Sequence, residues 1–307
     1  MQHFRHDDLK FTYSPLHEPI GTVQPGERFR LDTEDCFSGR FRNPHDWSAE
    51  NLRWVLENLD GVTGPIAVEG TSPGNVVEIT LHEVIPTTPG SIATSPCDDP
   101  SPSDWWSQWN GCGSFPIVDG HVEFSDSIRI PIRPVVGCIA TAPDRETVLS
   151  KMQGSYGGNM DCNEIRAEST VILPVYVPGA MLYFGDVKAV MGDGEIVQAP
   201  EIGTTITASV EVRARPPEMQ WPRVTTPVEL VTVVSAPTLD RAVGLAFAEL
   251  LAWVVASTGM ERQQAALLLA MVAHTGVCQI ANSMHTGKCT VRRDKLPSLL
   301  RDNRPLD

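Results

Sequence analysis

The residues best placed to do chemistry fall between Asn159 and Glu195. This stretch holds Asp161, Glu164, Glu168, Asp186, Asp193 and Glu195, and the sharpest of them stand beside glycine. The segments are Gly157-Gly158-Asn159-Met160-Asp161, Gly185-Asp186 and Gly192-Asp193-Gly194-Glu195. Glycine lets the backbone approach a ligand or take up a positive φ, so an acid next to it sits on a tight, well-defined turn. Several such acids brought together would bind a divalent cation or hold a water. They would also push one another's pKa values apart, which is how one carboxyl becomes a general base. Against this, Gly-Asp is ordinary turn chemistry, and each motif alone reads as a turn more readily than as a site.

Other side chains fill out the picture. Asp35 lies in Leu31-Asp32-Thr33-Glu34-Asp35-Cys36-Phe37, two acids beside a thiol, which is either a ligand group or a solvated strand end. Lys188 is two residues from Asp186, so in a strand both face one side. It is an ion-pair partner or, if buried, a catalytic amine or carbonyl-polarising cation. Cys36, Cys138 and Cys162 lack a histidine neighbour in sequence that would lower a thiol pKa. His82, His121 and His285 stand alone. No H-E-x-x-H, G-x-S-x-G, P-loop, G-x-G-x-x-G or C-x-x-C motif occurs. A metal site would therefore draw carboxylates from several segments.

Strands must do most of the positioning. Val77, Ile79 and Leu81 alternate with polar residues, as do Ile206, Ala208, Val210 and Val212. Val171–Val177 and Val228–Val234 are more continuously apolar, as for strands covered on both faces. Pro174 within the former points to a sheet edge or bulge. Residues 87–120 are rich in Ser, Pro, Asp and Gly and carry Trp105, Trp106 and Trp109. They read as a long loop that either covers a pocket or plugs a sheet end. The pattern then turns helical over Leu239–Ser257, with a stop at Gly259, and again over Glu261–Thr275 near Gly276. The expectation is a single mainly β domain over residues 1–307, β-rich over 20–235, with a helical hairpin at 238–276 and a polar tail at 292–307.

Composition narrows the partners. The 307 residues carry 24 Lys and Arg against 38 Asp and Glu, a formal charge of −14, which argues against a nucleic-acid or anionic-membrane binder. The start lacks an apolar leader segment, and the apolar stretch from Ala242 to Ala256 is shorter than a membrane span. With an odd count of seven cysteines, the expectation is a soluble, cytoplasmic protein with reduced thiols.

Taken in order, several segments carry a resemblance. They are Gly64–Gly70 with Pro73-Gly74, Ile130–Pro143, Gly157–Asp161, Leu173–Ala180, Gly185–Ala189 and Gly192–Glu195, with Asp35-Cys36-Phe37 ahead of them. From Val23 to Arg292 the chain resembles the acetamidase/formamidase family, in its shorter bacterial and archaeal branch. The resemblance implies a β-sandwich-type fold with helical additions and a homo-oligomer. It implies hydrolysis of a small aliphatic amide to carboxylate and ammonia, with small lactams opened by related enzymes. It also implies a divalent metal, zinc before calcium, at an acidic site. On that basis Asp35, Asp161, Asp186 and Glu195 are the expected metal ligands. Asp161, Asn159, Glu195 and Lys188 are the expected catalytic residues, with Gly158, Trp105 and Trp106 expected at the substrate. One departure stands out: Lys188 occupies a position where the family often has histidine. Two alternatives follow, an amide or lactam hydrolase with Lys188 in place of the metal ligand, and a non-catalytic binding or assembly protein.

Overall fold

A computed structural model describes residues 1–94 and 111–297. The alternating segments become long strands: Val77–Glu83 lies within Asn75–Pro86, and Thr205–Arg213 within Thr204–Ala214. These two pair antiparallel at the heart of a nine-stranded sheet. Register aligns Val210, Ile79, Val171, Val224 and Val231 in one row across five strands. All five are fully buried, so one face of this sheet is a continuous apolar wall.

A second nine-stranded sheet faces it. Its centre is Leu182–Lys188, paired with Val135–Ala140, Val62–Val68 and Glu201–Ile202. Val136, Ile139, Phe184, Val187 and Ile202 from this sheet share one core cluster with the valine row of the first. The molecule is thus a β-sandwich whose burial of apolar side chains between sheets drives the packing. Leu182–Lys188 is buried at every residue, which leaves its polar members no access to bulk water.

The outer face of the first sheet is covered by helices. In Glu229–Ala236, Val231 and Val233 face the sandwich while Leu230 and Val234 meet α2 (Leu239–Thr258) and α3 (Arg262–Val272), following a short α1 (Ala49–Glu57). This explains the nearly continuous apolar run there. Gly259 ends α2 in a left-handed conformation at φ 67°, as its position predicts. α3 stops sooner than its periodicity implies. Residues Ala273–Gln279, expected to continue the helix to Thr275, instead form an edge strand on His285–Arg292, whose backbone groups they satisfy.

Two further expectations shift. Residues 87–120 are not wholly a loop, because Gly90–Thr94 and Gly111–Phe115 pair antiparallel; Trp105, Trp106 and Trp109 lie outside the described residues. Pro174 sits neither at a sheet edge nor in a bulge but at the end of an inner strand, Thr170–Pro174, where its carbonyl accepts from the Thr141 hydroxyl. The chain stays docked past Arg292, and Leu296 is buried against the helices. Among the described residues no helix is long and apolar enough to cross a membrane.

Candidate functional site

The centre of the site is Lys188, 2% exposed, on the fully buried strand. Its Nζ lies 2.5 Å from Asp161 Oδ1 and 2.5 Å from Asp186 Oδ2, with Glu195 Oε1 at 3.4 Å and Glu201 Oε1 at 3.8 Å. Asp186 and Lys188 reach one side of their strand, as their spacing implies. Space for the cluster comes from Gly137 on the neighbouring strand. A Cβ there would stand 2.4 Å from both Asp161 Oδ1 and Asp186 Oδ2 and 2.6 Å from Lys188 Nζ. Only glycine admits these head groups.

The backbone holding the acids is strained. Asp161, Asp186 and Glu195 have φ values of 49°, 53° and 31°, and Asp60 has 60°. Each non-glycine residue in this region costs about 1–3 kcal/mol, and such residues concentrate at functional sites. The glycine-flanked acids are therefore aimed by their turns.

Asp60 joins the group from the end of the segment after α1. The Asn159 side-chain amide donates to its Oδ2 at 3.1 Å. Five carboxyls thus share the field of one ammonium. Burial pushes Asp60, Asp161, Glu195 and Glu201 above the usual carboxylate range, and their mutual repulsion adds to the shift, with Lys188 opposing it. Burial alone would lower Lys188, but Asp161, Asp186, Glu195 and Glu201 hold it charged, well above its ordinary value. Contact with the Asp161 carboxyl adds to the rise at Glu195, and contact with the Asp186 carboxyl adds to the rise at Glu201. With every carboxyl ionised, Asp161 Oδ2, Glu201 Oε2 and Asn159 Oδ1 would be buried without a donor. Such a site calls for protons, a bound cation or a polar ligand.

A donor set for a cation is present. Cys36 Sγ and one carboxylate oxygen each from Asp60 and Asp186 lie within 4.8 Å of one another, all buried. Burial, reinforced by Glu201, Asp186 and Asp60, raises the Cys36 thiol, so the thiolate a metal needs forms only alongside the ion. The orphaned Asp161 and Asn159 oxygens next to this set also fit an ion or its bound water.

The residues expected from sequence are distributed unevenly around this centre. Asp161, Asp186, Glu195 and Lys188 converge, and Asn159 joins through Asp60. Asp35 does not meet Lys188: its Oδ1 accepts from the Phe37 and Gly39 amides, and its Oδ2 pairs with Arg42 at 2.9 Å. Gly158 is buried in a strand between Gln153 and Ile139, with φ 105°, and its missing Cβ clears the Met152 carbonyl. Sequence reasoning missed Asp60 and Glu201, and it weighed Cys36 as a nucleophile and, beside Glu34 and Asp35, as part of a ligand group. Asp60 precedes Gly61, so the same acid–glycine signal marked it. Glu201 carried no local signal.

A buried, strained carboxyl cluster around one lysine has the groups for acid–base chemistry, and comparison with known proteins sets the chain in a family. The family model described as Acetamidase/Formamidase family matches residues 5–153 and 140–287. The chain belongs to the acetamidase/formamidase family. It is 27% identical over 245 residues to a formamidase of Methylophilus methylotrophus, covering 58% of this chain and 56% of that protein. It is 26% identical over 264 residues to an acetamidase of Mycolicibacterium smegmatis, covering 62% of each. The chain therefore matches about three-fifths of these relatives' length. The crystal structure of an acetamidase from Bacillus halodurans superposes with a TM-score of 0.89 at 29% identity, covering 95% of this chain and 97% of that one. A predicted acetamidase/formamidase from Thermoanaerobacter tengcongensis gives 0.88 at 28%, covering 98% of both.

Proposed function

We propose that this protein hydrolyses a small aliphatic amide, of the acetamide or formamide class, to a carboxylate and ammonia. The convergence of Asp161, Asp186, Glu195 and Glu201 on Lys188 carries the reading, and family membership supplies the bond type. Asp161 takes a proton from the attacking water as its oxygen bonds to the amide carbon. The Lys188 ammonium stabilises the oxyanion that develops. Asn159 Oδ1, a buried acceptor without a donor, receives an amide N–H of the substrate. Glu195, whose carboxyl burial raises well above its usual value, gives a proton to the nitrogen as the C–N bond breaks, and ammonia leaves. Cys36, Asp60 and Asp186 would hold a divalent ion, which would supply Lewis-acid polarisation of the carbonyl, and a thiolate among the ligands would prefer zinc to calcium.

One observation favours a second version of the same reaction. Lys188 already places a cation among the acids, so the ammonium alone can meet the oxyanion. The non-catalytic alternative has less support, since the acids do converge. A homo-oligomer also belongs to this reading, and Leu267 and Met271 on α3 are 60% and 76% exposed.

The deciding measurement is ammonia release from formamide, acetamide and a small lactam, before and after metal stripping. Loss on stripping with recovery in zinc supports the metal version. Release unaffected by stripping supports the lysine version. Absence of release from all three, with and without added metal, rejects the amidase reading for these substrates.

A further inference from the structure

A second buried lysine lies beyond the acids that meet Lys188. Lys288, 5% exposed on the strand His285–Arg292, places Nζ 2.8 and 2.9 Å from the two Glu164 oxygens and 2.8 Å from Asp193 Oδ1. The Asn163 side-chain amide donates to the same Asp193 oxygen at 2.7 Å, and the Cys162 thiol to Glu164 Oε2 at 3.1 Å. The lysine stem crosses the edge strand at Gly276, its register partner, where an added Cβ would be 3.0 Å from Lys288 Cε. The edge strand thus leaves a path for a side chain that must run sideways to reach its partners.

What Lys288 ties together is specific. Glu164 is three residues after Asp161, and Asp193 is two before Glu195. The second segment is also stitched to the C-terminal strand pair: the Gly194 amide donates to the Cys278 carbonyl at 3.1 Å, and the Ile280 amide to the Gly194 carbonyl at 3.0 Å. We infer that Lys288 is a positioning residue, whose ammonium clamps Glu164 to Asp193 and so fixes the separation of Asp161 and Glu195. Both acids sit at strained positive φ and depend on their flanking turns for aim. The C-terminal strand pair then has a role in the site although it contributes no group to it.

This inference rests on the amidase reading for its catalytic consequence, and two readouts keep the two apart. In full-length protein, Lys288→Met should speed amide hydrogen exchange in the peptides spanning 159–165 and 192–196, with the inner strands of the first sheet unchanged. On formamide or acetamide it should lower kcat at least tenfold with KM within twofold, a split expected when catalytic groups are misaligned. Lys288→Arg should recover part of kcat, and Gly276→Ala, which crowds the stem and leaves the charge, should lower kcat less than Lys288→Met does. Unchanged exchange in both peptides overturns the clamp. Faster exchange with unchanged kcat overturns the positioning role and leaves a structural one. If the wild-type chain releases no ammonia, the amidase reading fails, and exchange alone decides whether Lys288 holds the segments. If Lys288→Met does not fold, Lys288→Arg and Gly276→Ala carry the same comparison.

Discussion

The molecule buries charge in two very different ways. Beneath α2, Arg223 is 1% exposed and pairs with Glu249, Nε at 2.9 Å and Nη2 at 2.7 Å from the same oxygen. Its guanidinium also lies 4.9 Å from the Trp253 ring centre, and Glu218 adds a contact at 3.3 Å. Glu249 accepts from the Gln220 amide as well. Charges are close to balanced there, and neither Arg223 nor Glu249 has a positive φ. Around Lys188 the ratio is five carboxyls to one ammonium, four of the acids sit at positive φ, and several oxygens want donors. Burial alone therefore does not mark a candidate site. Charge in excess of its partners, held by strained backbone, does: the first arrangement resists change, while the second is poised to accept a proton, an ion or a substrate.

The contrast breaks first at Asp161. Asp161→Asn keeps the shape and removes the base, so kcat for ammonia release should fall by about 10²–10⁴ with little change in the unfolding midpoint. Full activity in this variant would remove Asp161 from the mechanism. At the other region the effects should invert. Arg223→Met leaves Glu249 buried without its main partner and should cost about 3–5 kcal/mol in denaturant unfolding, with kcat per folded molecule unchanged. Pairing it with Glu249→Leu should return much of that stability, since two apolar groups need no partner. A large kcat loss in Arg223→Met would mean the two regions are coupled.

The glycine–acid turns made most of the candidate site legible in the sequence, because a carboxyl on a tight turn must be aimed somewhere. Asp161, Asp186 and Glu195 were singled out that way and Lys188 by its spacing from Asp186, while their roles came only with the family resemblance. Asp35 stayed ambiguous, because its place beside Cys36 and Glu34 looks the same whether the carboxylate faces a site or caps its own turn, and its carboxylate caps that turn and pairs with Arg42. Glu201 was invisible: it reaches Lys188 only because its short strand pairs with Leu182–Lys188, a contact between segments that no local pattern records. The fold was legible where burial is one-sided, as in Asn75–Pro86. It was not where a short apolar run suits helix or strand equally, so Ala273–Gln279 took the conformation its partner strand offered. The ion pair under α2 is half legible, since Glu249 interrupts the apolar stretch Ala242–Ala256 while no local pattern marks Arg223.

Gly137→Ala sharpens the comparison from the packing side. Its Cβ would collide with two carboxylates and the ammonium at once, so the head groups must separate. A displacement of about 1 Å in catalytic groups costs on the order of 10²-fold in rate. The expected result is a fall of that size in kcat/KM. Gly185, on the same sheet but packed against the Gly61 backbone, is the wrong control, since alanine there strains the fold itself.

The smallest expected effect concerns pH at the balanced region. Burial raises the Glu249 carboxyl above its usual value, with Arg223 and the Gln220 amide opposing the shift. The folded chain therefore binds this proton more tightly than the unfolded chain does. Its contribution to stability is full below the unfolded pKa, about 4.5, and is lost as pH rises through the folded value. Wild-type stability should carry this falling component from about pH 4.5 upward, and Glu249→Gln, which cannot titrate, should lack it. Glu249 is partly shielded by Arg223, so the slope difference should be modest and best read from unfolding curves at matched ionic strength. A steeper fall in Glu249→Gln than in wild type would reverse the sign and show that the ion pair, not burial, governs the carboxyl.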